Sequence, residues 1–511
     1  MPVRSLKMRL AAVGSVLALV GLTSCSAGSS APQVDDSSAT QSSSEVAPEG
    51  LKDYYSQKLE WENCGGTLEC STIKVPLDYA NPTGQSIELS LNRRAAENAT
   101  GNLLINPGGP GGSGLDMVAS SVQLMFSDDL MSSYNVVGFD PRGVGKSSPV
   151  TCQSDAEMDS GRQENLRAWL PEDQVQIIKE TDEYAAACAT NTGDLLGHVD
   201  TVSAAKDMDV IRAALGDKQL DYLGFSYGTF LGATYADLFP KKVGKFVLDG
   251  AMDPTNQASE LTKAQAVGFE KEIDAWLAQC VESANCPFTG TVAEAKVQLQ
   301  QFFAQVENQP MVSSDGRTVP IIDFVNGFIL PLYDNSNWSY LTQAMADAVN
   351  DGNVDSILGF ADMSADRQDD GTYTSNSSDA FTAINCLDRP MNANSAAMGK
   401  EATDLMRVAP TLGKYLSYGE IACDVWDHKA TGHAEELHAK GSNEILVVGT
   451  TGDPATPYKW SQSLAKQLDN ATLLTYNGHG HTAYGRSNDC ITSAVDGYLI
   501  DGKVPAADTQ C

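Results

Sequence analysis

Apolar runs in the first half of the chain alternate between the spacing of strands and that of helices. Short apolar runs with the length of buried strands occur at 87–91, 102–105, 134–139, 220–225 and 245–248. Between them, residues 204–215 and 227–238 carry apolar side chains at helical spacing. Strands that alternate with helices in this way predict a mostly parallel sheet with helices on both faces.

This alternation stops near residue 252 and resumes near residue 442. The intervening residues contain polar loops and three stretches with helical spacing: 264–281, 292–306 and 340–349. Two strand runs and a helical run then follow at 444–448, 471–476 and 491–499. We therefore predict an α/β fold whose core comprises residues 51–251 and 442–511, with a mainly helical cap inserted at 252–441. The cap should lie over the carboxyl edge of the sheet, where open α/β folds place their sites.

The N-terminus has the features of an export signal. Three basic residues precede the apolar run Leu10–Leu22, which is short for a transmembrane helix. The sequence Leu22-Thr23-Ser24-Cys25 resembles the bacterial lipobox, in which the signal is cut and the cysteine is lipidated. We predict a signal peptide at 1–24 and a flexible, lipid-anchored tether at 25–50 that begins with Cys25. A plain signal peptide with an incidental Cys25 is the alternative. The predicted location is the outer face of the cell membrane, with partial release.

The charge of the chain argues against nucleic-acid binding. The 66 acidic and 34 basic residues give a net charge of −32, which disfavours contact with phosphate backbones.

The number of cysteines predicts disulfides. If Cys25 is lipidated, ten of the 11 cysteines remain, an even number that suits an oxidising compartment. Pairing near neighbours predicts five disulfides: Cys64–Cys70, Cys152–Cys188, Cys280–Cys286, Cys386–Cys423 and Cys490–Cys511. A zinc site is the weaker alternative, because no pair of CxxC motifs and no HExxH motif occurs.

The sequence Gly224-Phe225-Ser226-Tyr227-Gly228 matches the G-x-S-x-G nucleophile elbow of α/β-hydrolases. It lies between a predicted strand and a predicted helix, which is the context that the motif requires. Small residues allow the sharp turn that exposes the serine hydroxyl beside a helix N-terminus. We predict that Ser226 is a catalytic nucleophile; an ordinary turn is the alternative.

A serine nucleophile needs a base and an acid that orients the base. In α/β-hydrolases the acid and then the histidine follow the serine along the chain, each in a loop after a late strand. Asp453 follows the strand run 444–448 and is predicted to be the acid, with Thr456 as a candidate for supporting its loop by a hydrogen bond. His481 follows the run 471–476 and is predicted to be the base, with His479 as its competitor.

The glycine-rich sequence from Asn106 to Gly114 follows another predicted strand and predicts an oxyanion hole. Glycines let the backbone approach a substrate closely and direct N–H groups at a developing negative charge. We predict the N–H groups of Gly109 and Tyr227 as the two donors. A phosphate-binding loop is the alternative, but the Lys-Ser/Thr pair of that motif does not follow here.

Taken together, several motifs resemble those of one hydrolase family. Asn106-Pro-Gly-Gly-Pro-Gly-Gly-Ser-Gly114, Asp140-Pro-Arg-Gly-Val-Gly145, Leu248-Asp-Gly250 and Ala383-Ile-Asn-Cys-Leu-Asp388 are similar to those of the exported tripeptidyl aminopeptidases of high-GC Gram-positive bacteria. These proteins are related to the prolyl aminopeptidases. The resemblance covers about residues 60–511. It implies an α/β-hydrolase fold, Ser226, Asp453 and His481 as the triad, no metal, and release of short peptides from the N-terminus of substrates.

An exopeptidase of this kind must also hold the free α-ammonium of its peptide substrate. Three extended residues span roughly 10 Å, so a carboxylate should lie about that far from Ser226. Asp388 is the predicted candidate, with a surface carboxylate beside a structural disulfide as the alternative. An exported carboxylesterase or lipase with the same triad is the alternative function, and a non-catalytic peptide-binding lipoprotein is a weaker one. No cofactor is expected.

Overall fold

A computed structural model describes residues 47–511. The predicted signal peptide, Cys25 and the tether up to residue 46 lie outside the described residues. Eleven strands occur in the described part of the chain: β1 (Glu62–Gly65), β2 (Leu68–Pro76), β3 (Ser86–Arg94), β4 (Gly101–Asn106), β5 (Tyr134–Phe139), β6 (Leu220–Phe225), β7 (Val243–Asp249), β8 (Met311–Val312), β9 (Thr318–Val319), β10 (Ile445–Gly452) and β11 (Ala471–His479).

Eighteen α-helices occur in the same residues, several of them a single turn long. They are α1 (Lys52–Tyr55), α2 (Gly114–Asp116), α3 (Val122–Met125), α4 (Asp128–Ser133), α5 (Asp155–Arg162), α6 (Pro171–Thr192), α7 (Thr201–Leu215), α8 (Tyr227–Leu238), α9 (Ala258–Cys280), α10 (Val292–Asn308), α11 (Ile321–Ile329), α12 (Trp338–Ala346), α13 (Asp355–Ser364), α14 (Ser377–Asp388), α15 (Ser395–Val408), α16 (Ile421–Asp424), α17 (Tyr458–Gln467) and α18 (Asp489–Asp501).

Nine of the strands form one sheet, in the order β1-β2-β3-β5-β4-β6-β7-β10-β11. The six strands from β5 to β11 in this order run parallel, whereas β1, β2 and β3 form an antiparallel edge. The predicted α/β-hydrolase fold is therefore confirmed. Because the elbow serine follows β6, it lies at the carboxyl end of a central strand with parallel neighbours on both sides.

The two faces of the sheet are covered by different helices. Side chains alternate between faces along a strand, so Leu104 and Tyr222 pack with α7 and α8, whereas Leu103 and Leu223 pack with α18. Both clusters are buried, which accounts for the nearly continuous apolar runs of the central strands. Helices on both faces were predicted from those runs.

Residues from the predicted cap form a separate apolar cluster. Four of its aromatic side chains make edge-to-face contacts with one another: Trp276, Phe303, Phe324 and Phe328. Helices α5 and α6, which the sequence analysis assigned to the core, also contact the cap. Trp169 between them packs against the aromatic cluster, and Arg162 forms an ion pair with Asp323 at 3.0 Å. The boundaries at 252 and 441 stay a prediction.

All five predicted disulfides are present: Cys64–Cys70, Cys152–Cys188, Cys280–Cys286, Cys386–Cys423 and Cys490–Cys511. Disulfides form and persist in oxidising compartments, so this set indicates an exported protein. Between residues 47 and 511, every helix is too short or too polar to cross a bilayer.

Candidate active site

Ser226 forms the sharp turn between β6 and α8. Its φ of 55° and ψ of −123° are rare for a residue with a side chain, and such a conformation costs about 1–3 kcal/mol. The backbone N–H of Ser226 donates to the carbonyl of Asp249 at 2.9 Å, which ties the turn to the end of β7. Its side chain is partly exposed. Strain of this kind, held by a neighbouring strand, is typical of a nucleophile elbow.

The two glycines of the motif are required by close packing around this turn. A Cβ atom at Gly224 would lie 2.4 Å from the carbonyl oxygen of Gly228. A Cβ atom at Gly228 would lie 2.8 Å from the carbonyl oxygen of Asn106 in β4. A methyl group fits at neither position, so the strand and the helix can meet only if both residues are glycine.

The glycine-rich loop after β4 lies directly against the elbow. A Cβ atom at Gly108 would be 3.0 Å from Cβ of Ser226 and 3.1 Å from the backbone nitrogen of Tyr227. The side chain of Asn106 accepts a hydrogen bond from the N–H of Gly108 at 2.9 Å and thereby fixes the start of the loop. Gly109 follows with a φ of 107°, which favours glycine. The two predicted oxyanion donors, Gly109 and Tyr227, thus belong to segments that touch beside Ser226.

Asp453 and His481 lie in direct contact, although 28 residues separate them in sequence. Nδ1 of His481 is 3.0 Å from both carboxylate oxygens of Asp453. Asp453 is buried, and it accepts further hydrogen bonds from the N–H groups of Ala455, Thr456 and Thr482 at 2.8–3.2 Å. With so many donors around it, the carboxylate has a fixed orientation and can hold the imidazole in a single tautomer.

The hydroxyl of Thr456 joins this pair. It donates to Oδ2 of Asp453 at 2.9 Å and lies 3.2 Å from Nδ1 of His481. Thr456 was predicted to support the loop of Asp453 by a hydrogen bond, and its hydroxyl does contact the carboxylate of Asp453. It also touches the histidine, which the sequence did not indicate.

The imidazole of His481 lies beside Gly250, at the end of the strand that holds the turn of Ser226. A Cβ atom at Gly250 would lie 3.3 Å from Cε1 of His481, and Gly250 directly follows the residue whose carbonyl binds the N–H of Ser226. The ring also contacts Tyr333 at a centroid distance of 5.5 Å, and the N–H of His481 donates to the carbonyl of Tyr333 at 2.7 Å. Tyr333 belongs to the predicted cap, so the cap reaches the loop that contains His481.

His479 has a different partner. Its Nδ1 lies 3.0 Å from Oε2 of Glu272 on α9, and its side chain is about half exposed. The structure therefore pairs His481, and not its competitor, with Asp453. Nothing in the sequence pointed to Glu272, because no motif surrounds it and 207 residues separate it from His479.

Asp249 at the end of β7 is a further carboxylate that sequence reasoning did not assign to the site. It is fully buried and accepts hydrogen bonds from the N–H groups of Ala483 and Tyr484 at 2.7–3.0 Å. Burial raises the pKa of Asp249 to about 6. The side chain of Asp249 thus fixes the backbone two residues after His481, while its backbone carbonyl accepts the hydrogen bond from the N–H of Ser226.

Asp388, the predicted ammonium anchor, has another role. Only 4% of its surface is exposed, and its two oxygens accept hydrogen bonds from the N–H and the hydroxyl of Thr201 at 2.8 and 2.6 Å. Thr201 is the first residue of α7 and also contacts the hydroxyl of Tyr227. The expectation that Asp388 holds a substrate is therefore corrected: its carboxylate is occupied in joining α14 to α7 in the protein interior.

Comparison with known proteins agrees with this geometry. A family model described as TAP-like protein matches residues 409–511. Serine protease Hip1 of Mycobacterium tuberculosis is 36% identical over 485 residues, which cover 89% of this chain and 91% of that protein. The chain belongs to the TAP-like α/β-hydrolase family.

Other members of the TAP-like family differ in their named activities. Tripeptidyl aminopeptidase of Streptomyces lividans is 31% identical over 471 residues, with 89% of this chain and 86% of that protein covered. Carboxylesterase B of Mycobacterium tuberculosis is 36% identical over 455 residues, with 87% and 86% covered. Membership of the family, together with the fold, makes this protein a serine hydrolase, and its relatives include peptidases.

Proposed function

We propose that this protein is an exported serine exopeptidase that releases short peptides, chiefly tripeptides, from the N-terminus of its substrates. The observation that carries the proposal is the hydrogen bond between Asp453 and His481 beside the strained turn of Ser226. Resemblance to tripeptidyl aminopeptidase and to serine protease Hip1 supports a peptide substrate over other acyl compounds.

In the proposed mechanism, the hydroxyl of Ser226 attacks the scissile carbonyl while His481 accepts its proton. Asp453 stabilises the imidazolium that forms, and the N–H groups of Gly109 and Tyr227 bind the oxyanion. His481 then protonates the leaving amine. Water hydrolyses the acyl-enzyme with His481 as base and releases the peptide. The hydrogen bonds between His481 and Asp453 support the roles proposed for these two residues.

The triad is tested by Ser226→Ala and Asp453→Asn. Loss of the nucleophile should lower kcat by at least about 10⁴-fold, and Asp453→Asn by about 10⁴-fold because the imidazole loses its orienting partner. Ser378→Ala, in α14 of the cap, serves as the control and should leave turnover unchanged. Labelling with a fluorophosphonate should occur in the wild type and disappear in Ser226→Ala. Full turnover by Ser226→Ala would refute the proposed mechanism.

The exopeptidase proposal is tested by comparing a tripeptide amide that has a free N-terminus with its N-acetylated form. A peptidase that holds the α-ammonium should cleave the free peptide and reject the blocked one, since acetylation removes the charge. Equal rates for both would contradict an aminopeptidase. If short acyl esters were the better substrates and neither peptide were cleaved, the carboxylesterase alternative would replace the present proposal.

We further propose that the protein is lipid-anchored through Cys25 after removal of residues 1–24. The lipobox-like sequence before Cys25 supports this proposal, and two or more acyl chains, at about 0.8 kcal/mol per buried methylene, would anchor it stably. Cys25→Ala should move the enzyme from the membrane fraction to the medium and abolish incorporation of labelled palmitate. Unchanged fractionation and no label in the wild type would favour a plain signal peptide.

A further inference from the structure

A second acid–histidine pair lies next to the pair formed by Asp453 and His481. Glu272 of the cap helix α9 contacts Nδ1 of His479 through Oε2 at 3.0 Å. Only 2% of the surface of Glu272 is exposed, and its other carboxylate oxygen has no hydrogen-bond partner among the described residues. His479 is the one side chain in the described part of the protein that binds this carboxylate.

His479 and His481 belong to one short loop, residues 478–482, that is held from both sides. On the core side, Arg486 donates to the carbonyls of His481 and His479 at 2.7 and 3.2 Å, and the N–H of Gly480 donates to Gly452 at 3.2 Å. On the cap side, the loop is held by Tyr333 through the N–H of His481, and by Glu272.

Three residues of the cap contact the loop: Tyr333, Glu272 and Trp338, whose ring packs against His479. Of these three, only Glu272 carries a charge. A buried carboxylate is unfavourable by several kcal/mol unless a hydrogen-bonded partner compensates it. Burial raises the pKa of Glu272, and the hydrogen bond from His479 opposes that rise. Glu272 therefore has a strong preference for the geometry in which His479 reaches it, and this preference fixes the loop two residues before the catalytic histidine.

We propose that Glu272 and His479 are positioning residues that hold the loop of residues 478–482, and thus His481, in its reactive orientation. The inference rests on the proposed role of His481 as general base. Neither residue takes part in bond making. Displacement of a catalytic group by about 1 Å lowers turnover by about 10²-fold, so the pair controls kcat more than substrate binding.

The first test is Glu272→Leu, which removes the charge and the acceptor but keeps much of the volume. We expect kcat for a p-nitrophenyl acyl ester to fall by about 10- to 100-fold, with KM within twofold of the wild type. The ester has no amine, so a substrate-binding role for Glu272 would not affect it. Glu272→Gln keeps an acceptor for His479 and should restore most of the lost turnover.

The second test is a double-mutant cycle with His479→Phe, which keeps the contact with Trp338 but leaves the buried carboxylate unpaired. His479→Phe should lose at least as much turnover as Glu272→Leu. The double variant should be more active than His479→Phe alone, because the unpaired charge is gone. His479 is half exposed, so its replacement should allow folding, which thermal unfolding checks.

The chain contains a matched control pair, His433 and Glu435, which also lie 3.0 Å apart but are well exposed. Glu435→Leu and His433→Phe should each stay within twofold of the wild type. If the Glu272 and His479 variants behaved like these controls, the positioning role would be refuted. It would also be refuted if Glu272→Leu impaired only peptides with a free N-terminus, because Glu272 would then bind the substrate amine.

These outcomes are separable from failure of the proposed function. If Ser226→Ala keeps full activity, the proposed serine mechanism is refuted, whatever the results for the Glu272 variants. Should Ser226→Ala be inactive while the Glu272 and His479 variants match the His433 and Glu435 controls, only the positioning inference falls.

Discussion

The hydroxyl of Thr456 contacts both Asp453 and His481. Its contribution to turnover can be tested by a substitution that removes only the oxygen atom. Thr456→Val keeps the shape of the side chain but leaves Oδ2 of Asp453 without this donor. One lost hydrogen bond of 0.5–1.5 kcal/mol corresponds to a fall in kcat of about 2- to 10-fold. Steady-state kinetics on an ester substrate measure it.

A matched control for this prediction is Thr255→Val. The hydroxyl of Thr255 also donates to a nearby aspartate, Asp253, at 2.7 Å, in a turn that makes no hydrogen bond to His481. Its replacement should leave kcat unchanged. If both valine variants lost the same activity, a general effect of threonine loss would explain the result better than support of the acid.

Asp388 leads to a prediction about pH and stability. Burial raises the pKa of its carboxyl to about 6, against about 3.9 in an unfolded chain. Between about pH 4 and 6 the folded protein therefore binds more protons at this site than the unfolded chain does. The free energy of unfolding contributed by this group falls as the pH rises through that window.

In Asp388→Asn this contribution is absent. The unfolding free energy of the variant minus that of the wild type should therefore rise by about 2 kcal/mol between pH 4 and 7. Urea unfolding at several pH values measures the difference. Asp351→Asn, at an exposed position of the cap, is the control. A difference that stays constant with pH for Asp388→Asn would contradict the raised pKa.

At the scale of single residues, local motifs led to the predictions for Ser226, Asp453 and His481, and the structure brings Asp453 and His481 into contact. Each follows a recognisable strand, and the order of acid and base along the chain is fixed by the fold. Glu272 lies in no motif, and the motif Leu248-Asp-Gly250 gave no indication of the role of Asp249. Their partners are more than 200 residues distant, so only the folded chain brings them to the catalytic loop.

Among the structural elements, the elbow depends on glycine at positions 224 and 228. Gly224→Ala should lower both the free energy of unfolding and kcat, because the added methyl would lie 2.4 Å from the carbonyl oxygen of Gly228. Gly359→Ala in α13 is the control, since a Cβ atom there would meet nothing within 4 Å. It should be neutral or add up to about 1 kcal/mol of stability. Equal stability of both variants would contradict tight packing at the elbow.

Two disulfides of the cap differ in the length of chain that they close. Cys386–Cys423 spans 37 residues and Cys280–Cys286 spans 6. Chain entropy predicts that Cys386→Ala/Cys423→Ala loses about 4 kcal/mol of unfolding free energy, and Cys280→Ala/Cys286→Ala about 2 kcal/mol. Urea unfolding of both double variants tests this order. A larger loss for the short bridge would show that strain or local packing outweighs chain entropy.

The elements of the parallel sheet were predictable because buried strands read as continuous apolar runs. The antiparallel edge was harder to predict. β1 is short and wholly exposed, and β2 mixes buried with exposed positions and includes a lysine and a proline. Helix α6 has only two buried residues, Ala185 and Cys188, so its sequence gives little sign of the side that packs.

For the whole molecule, the net charge of −32 leads to a prediction about partners. Repulsion from phosphates should prevent binding to duplex DNA even at low salt, where such binding is strongest. Fluorescence anisotropy of a labelled duplex at 50 mM NaCl should stay flat as the protein is added to about 10 μM. An increase in anisotropy that disappears at higher salt would indicate a local basic surface despite the negative net charge.

The hydrogen bond from the N–H of His481 to the carbonyl of Tyr333 has a consequence for protein engineering. A cap inserted into an α/β-hydrolase core is a natural segment to exchange between relatives when chimaeras are designed. Here a graft cut at the ends of the insertion would remove one backbone hydrogen-bond partner of His481. A chimaera that transfers the turn around Tyr333 together with residues 478–482 would keep donor and acceptor from the same parent.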